Sequence, residues 1–178
     1  MNIYLFQRVL GVSILLLQIL VVILIIYIAY KKITGKNISF LEKVFQDYGM
    51  WIAGITSLFA IVGSLVFSDY YMVEPCKLCW IQRILIYPQA IIMLIAAWKN
   101  DKQAWIYSLW LSVIGLLYAL RQINEQFGIT SVVPETKCAL GEVSCAQIHM
   151  LEFGYITFPL VSATLFVFLI ILYLLRKK

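Results

Sequence analysis

The sequence predicts an all-α, polytopic membrane protein: a four-helix transmembrane core preceded by one additional N-terminal transmembrane helix. Three observations predict it. First, 63% of the 178 residues are hydrophobic and only 13% are charged, and the mean hydropathy is +0.92. A soluble domain carries roughly 45–50% apolar and about 25% charged residues. Second, the apolar residues are gathered into five runs, near the ~20 residues that cross a ~30 Å hydrocarbon core. Third, these runs are continuous rather than alternating. In lipid the backbone must satisfy its own hydrogen bonds, so such runs are helices, and the ten-residue alternation of a membrane barrel is missing.

The first run extends from about Val9 to Tyr30. Its length exceeds a signal-peptide core, and YIAYKK offers no small-residue cleavage site, so the expectation is a retained helix. The link Lys31–Gly49 is polar and mildly amphipathic, with Ile38, Leu41, Val44 and Phe45 at helical spacing. It is expected to lie on the membrane surface or to serve as a simple connecting helix. The second run covers about Met50–Phe67, the third Cys79–Trp98, the fourth Ala104–Leu120 and the fifth Tyr155–Leu175. The chain therefore divides into 1–48, the extra helix and its link, and 49–178, the four-helix core. Two loops of that core, about 68–78 and 121–154, fall on the same side.

The net charge is +5, and its placement points to a membrane topology rather than to nucleic acid. Lys31, Lys32, Lys36, Lys43, Lys99, Lys102, Arg176, Lys177 and Lys178 share one side if there are five spans. Arg8, Lys77, Arg83, Arg121 and Lys137 lie on the other. Positive charge marks the cytoplasmic side, so the N-terminus and both long loops face outward and the C-terminus faces the cytoplasm. All four cysteines, Cys76, Cys79, Cys138 and Cys145, then lie on the outward side.

Outward cysteines in an oxidising compartment are often static disulfides. Three features favour redox chemistry instead. The Cys76–Cys79 pair would close a very small ring, which restrains little of the unfolded chain and suits a dithiol that opens and closes. Cys79 stands at the start of the third span, where a helix N-terminus favours a thiolate. Arg83 is four residues on, on the same helical face. A guanidinium just inside a membrane is costly and marks function, although it can also snorkel to the headgroups. There it would stabilise a thiolate and donate to an electron acceptor's oxygen. Trp80 is a candidate wall for a flat ring beside Cys79, although the aromatic residues as a group suit a membrane-interface belt.

Cys138 and Cys145 bracket ALGEVS in the longest outward loop, beside Pro134 and Gly141, where a soluble partner can reach them. One pair in water and one at lipid depth make an electron relay. A four-cysteine zinc site is the competing reading, but a six-residue gap is long for zinc, and an oxidising compartment removes free thiols. No metal is expected. His149 is the one histidine, in VSCAQIHMLEF, which reads as an interfacial helix that places it at headgroup level or, alternatively, in proton transfer. Pro88 should kink the third span by freeing the Ile84 carbonyl.

EPCKLCWIQRILIYPQ resembles the first active-site motif of the disulfide bond formation protein B (DsbB) family, and is closest to its short BdbC-type branch. KCALGEVSCAQIHMLEFGYITFPLVSATLF resembles the second: paired cysteines, then an aromatic–Gly–aromatic–Ile–Thr–x–Pro entry into the last helix. The resemblance covers roughly Gly49–Lys178, and vitamin K epoxide reductase relatives share the four-helix logic but carry their CxxC late in the core.

The resemblance implies a thiol:quinone oxidoreductase in a bacterial cytoplasmic membrane. Cys138 would form the mixed disulfide with a soluble or lipid-anchored thioredoxin-fold thiol oxidase on the outer side. Cys145 would exchange with Cys76, and Cys79 would face a membrane quinone, menaquinone or ubiquinone, with Arg83 stabilising charge. Some family members carry a histidine near the outer end of the penultimate helix. Here that stretch reads LRQINEQ, which leaves Arg121 as the candidate quinone-binding residue. The resemblance gives no counterpart for the N-terminal helix. The alternatives are a partner-binding membrane protein with static disulfides, or a vitamin K epoxide reductase-like quinone reductase.

Overall fold

The computed structural model describes residues 3–35, 39–128 and 143–176. Five helices form it: α1 (Ile3–Thr34), α2 (Ser39–Leu65, extended by a π-helical turn, Val66–Tyr70), α3 (Lys77–Lys99), α4 (Ala104–Phe127) and α5 (Phe158–Arg176). Each contains a stretch long and apolar enough to cross a membrane, so the chain is a multi-pass membrane protein. Among the described residues, β pairing is limited to one bridge, Glu152 with Ile156.

α5 is the centre of the bundle. Ala163, Leu165, Phe166, Phe168, Leu169, Ile171, Leu172 and Leu175 are all buried, so nearly every face of the helix meets protein rather than lipid. α2 packs on α3 and α5, α3 and α5 both pack on α4, and α1 lies along α5. Lipid is as apolar as leucine, so close backbone approach must supply the packing energy, and small residues make it possible. At Gly115 of α4 the ring of Phe166 fills the place a Cβ would take. At Gly54 of α2 the Leu94 side chain does the same.

A buried polar cluster also ties α3 to α4. The Gln89 Oε1 atom accepts from Ser108 Oγ at 2.9 Å and Ser112 Oγ at 3.0 Å. Its Nε2 donates to the Leu85 carbonyl at 3.1 Å. That carbonyl lies in the turn that Pro88 disturbs, and α3 continues through Pro88 as one helix.

Three expectations are corrected. Among the described residues the Lys31–Gly49 link holds no separate surface helix: it is the end of α1 to Thr34 and, from Ser39, the first part of α2. No proline interrupts that stretch, and Gly49 gives room to the Trp105 ring, so the helix need not end there. α4 continues past Leu120 to Phe127, closing at Gly128 in a left-handed cap whose N–H bonds the Asn124 carbonyl. VSCAQIHMLEF forms no helix: Phe153 and Gly154 both take positive φ, and the chain turns back through the Glu152–Ile156 bridge.

Candidate redox site

The start of α3 builds the site. Cys76 is its N-cap residue in extended conformation, and Cys79 falls three residues in, on the first turn. The Cys76 and Cys79 sulfurs are 3.3 Å apart, in contact as thiols but well beyond a ~2.05 Å disulfide bond. Cys145, from the segment that begins at Val143, packs against them. Its Sγ accepts from the Leu78 backbone N–H at 3.5 Å, one of the donors that a helix N-terminus leaves free. Cys145 and Cys76 are both buried and in hydrogen-bonding reach of each other, with Leu78, Ile81, Tyr118 and Val143 packed around them. Cys138 lies outside the described residues.

One amide points at both α3 sulfurs. Gln122 Nε2 donates to Cys79 Sγ at 3.2 Å and to Cys76 Sγ at 3.3 Å. Its orientation is fixed from behind, because Gln82 Nε2 donates to Gln122 Oε1 at 2.7 Å. Both glutamines are buried. Cys76 also aims its S–H at Cys79. That donation, together with burial, holds the Cys76 thiol well above the ordinary thiol range, so Cys76 keeps its proton.

Arg83 is gripped from α2. Its Nε donates to Ser64 Oγ at 2.8 Å and its Nη2 to the Ser64 carbonyl at 2.8 Å. Ser64 lies two residues before the π-helical turn Val66–Tyr70. The guanidinium also lies over the Trp80 ring, 5.4 Å from its centroid. Among the described residues Arg83 has no acidic partner, so its charge is only partly compensated.

Arg83, Cys76 and Cys79 open on one cavity of about 670 Å³. Cys76, Cys79, Gln82, Arg83, Tyr87, Gln122 and Gln126 line its α3 and α4 side, and most of the remaining wall is apolar. The Tyr87 hydroxyl and Gln126 Oε1 are buried without a partner among the described residues. Buried polar atoms in a native protein are normally satisfied, so both are open to a ligand. His149 lines the same cavity and is exposed.

The other two candidates sit differently. Trp80 supports Arg83 from outside and is half-exposed, away from the cavity wall. Arg121 pairs with Glu125 at 3.3 Å and also stays out of the wall, whereas Gln122, its neighbour, lies in it. Sequence reading passed over Gln122, Gln82 and Tyr87. Only the extension of α4 beyond Leu120 would have signalled the first.

Thiols in mutual contact at one end of a membrane bundle have the chemistry that thiol–disulfide exchange needs. Comparison with known proteins gives the family. Residues 46–175 match the family model described as Disulfide bond formation protein DsbB, and the chain belongs to that family. It is 40% identical over 134 residues to a probable disulfide formation protein C of Halalkalibacterium halodurans, covering 73% of this chain and 93% of the relative. It is 35% identical over 132 residues to disulfide bond formation protein C of Bacillus subtilis, covering 73% and 91%. A probable disulfide formation protein of Coxiella burnetii is 36% identical over 118 residues, 66% of this chain and 80% of the relative. No solved structure matches the chain. The protein is therefore a membrane oxidoreductase of the disulfide-forming family, and α1 lies outside the matched segment.

Proposed function

We propose that this chain reoxidises a thioredoxin-fold dithiol oxidase on the outer face of a bacterial cytoplasmic membrane and passes the electrons to a membrane quinone, menaquinone or ubiquinone. The observation that carries this reading is that Cys79 and Arg83 share a mostly apolar cavity while Cys145 lies beside Cys76. When bound, the quinone supplies the acceptor for two electrons and two protons. The Arg83 guanidinium and the Tyr87 hydroxyl, unpartnered among the described residues and one turn away on α3, are donors suited to its oxygens.

The relay balances as thiol–disulfide exchange. A partner thiolate attacks Cys138 of a Cys138–Cys145 disulfide, forming a mixed disulfide and releasing Cys145 as thiolate. The partner's second thiol attacks that mixed disulfide, leaves the partner oxidised and releases Cys138. Cys145 then attacks Cys76 of a Cys76–Cys79 disulfide, and Cys79 leaves as thiolate. Attack of Cys138 on Cys145 restores the first disulfide and frees Cys76. The Cys76–Cys79 dithiol gives up two electrons and two protons, and its disulfide re-forms.

The residues act at definite points in this sequence. Gln122 holds the leaving Cys79 thiolate with an N–H, and Cys76 keeps the proton that leaves with the second sulfur. Arg83 and Gln122 favour charge at the sulfur nearest the lipid side, so electrons collect at Cys79.

Trapping tests the reading. In cells, Cys145→Ser should accumulate a reductant-sensitive covalent complex between Cys138 and a thioredoxin-fold partner. If no such complex forms and the remaining cysteines stay fully oxidised, static disulfides are the better account.

A further inference from the structure

The cavity that holds the thiols is walled on one side by the helix that the family match leaves out. Phe6, Leu10, Ser13, Ile14 and Leu17 of α1 all face it. They recur at three- and four-residue spacing, which is one helical stripe. From Phe6 to Leu17 the stripe runs about 16 Å along the helix axis at 1.5 Å per residue. Across the cavity stand Phe59 and Gly63 of α2 and Val161 and Leu165 of α5. α1 and α2 meet at the cysteine end, where a Cβ on Gly63 would lie 3.6 Å from Leu10 Cδ2.

α1 is fastened as a wall rather than left as a loose anchor. Arg8 bridges Glu152 at 3.1 Å and lies over the Phe153 ring, 4.8 Å from its centroid. Gln7 Nε2 donates to the His149 carbonyl at 3.4 Å. Deeper in the span, Gln18 Nε2 donates to Thr164 Oγ1 at 3.2 Å, and the Tyr155 hydroxyl donates to Gln18 Oε1 at 2.8 Å. At Gly11 a Cβ would come within 3.0 Å of Glu152 Cβ, so the helix is seated close against the segment that follows Cys145. Removing α1 would turn the cavity into a groove open to lipid.

We infer that α1 makes this cavity a channel for the prenyl tail of the quinone, with the ring at the Cys79–Arg83 end and the first prenyl units between α1, α2 and α5. The inference rests on the quinone reading above. It follows from one continuous cavity whose α3 and α4 side carries sulfur, guanidinium and hydroxyl groups and whose α1 side is a mostly apolar helical stripe. A ligand that matches both sides has a polar head and an apolar chain of about that length. α1 is thus a specificity element for the acceptor, acting on its tail and not on its ring.

Steady-state quinone reduction by the purified full-length protein tests this, with a reduced dithiol oxidase as donor and two acceptors: a short prenyl quinone and the same ring without a tail. Wild type should show a KM at least about tenfold lower for the prenylated acceptor. Ser13→Phe and Leu17→Trp, which project into the channel, should reduce that ratio toward one. Leu16→Phe, on the exposed face of α1, should keep it. Should the channel variants misfold, a photoreactive group at the tail's end keeps the idea testable in the unaltered protein. It should label peptides within Ile3–Thr34. A wild-type ratio near one, an undiminished ratio in the channel variants, or labelling confined to α2–α5 overturns the channel but leaves the quinone reading intact. Wild type that reduces neither acceptor removes the quinone reading, and the channel with it.

Discussion

At the residue scale, the chemistry turns on where Gln122 points its two amide hydrogens. Gln82 fixes that direction by occupying the carbonyl end, so the donors are set toward Cys76 and Cys79 before any charge develops. Gln122→Leu should slow quinone reduction roughly 10- to 100-fold, since a hydrogen bond to a charged group contributes about 1.5–3 kcal/mol. A comparison of kcat in the two proteins checks this, with partner trapping at Cys138 retained as a sign of correct folding. Arg83→Ala should instead raise the apparent KM for quinone, read from a quinone titration. Cys76 adds a pH signature. Its thiol stays protonated well above the ordinary range, so alkylation of the reduced protein should be slow at Cys76 near neutral pH and accelerate only as the solution becomes strongly alkaline. Fast labelling of Cys76 at neutral pH would contradict the arrangement.

Much of this site was legible at the same scale. Two cysteines at the edge of an apolar run and an arginine one turn deeper are rare in a membrane sequence, and each costs something that function must justify. Gln122 was not legible. A glutamine near a helix end looks ordinary until the crossing of α3 and α4 shows which sulfur it reaches. Tyr87 was hidden for a similar reason: an aromatic at that depth resembles an interface-belt residue, and only burial without a partner sets it apart.

At the element scale, hydropathy located every span but misjudged where the helices stop. Lipid solvation ends at the apolar boundary, whereas helical hydrogen bonding continues until a cap or a breaker stops it. α4 therefore runs on to Gly128 and carries Gln122 into the site, and α2 begins well before its apolar stretch. The opposite error occurred at VSCAQIHMLEF, where helical spacing of apolar residues lost to a turn at Phe153–Gly154. Helix contact is also an element property. Gly115→Leu should drive a side chain into the Phe166 ring and separate α4 from α5. Overpacking of this kind costs about 1–3 kcal/mol, so the variant should melt at a lower temperature in detergent. An unchanged melting temperature would show that the two helices are less tightly joined than described.

For the whole molecule, five spans put one end of the bundle in charge of thiols and leave the other rich in lysine and arginine. That division supports an orientation with the cysteines outward and the C-terminus in the cytoplasm. It also sorts the sulfurs: Cys145 meets Cys76 among Leu78, Ile81, Tyr118 and Val143, while Cys76 and Cys79 both face the cavity. The decisive measurement is quinone reduction by the purified protein supplied with reduced partner, comparing wild type with Cys79→Ser. The variant should lose quinone reduction almost completely while its other thiols still exchange with the partner. Quinone reduction by Cys79→Ser at the wild-type rate would contradict it.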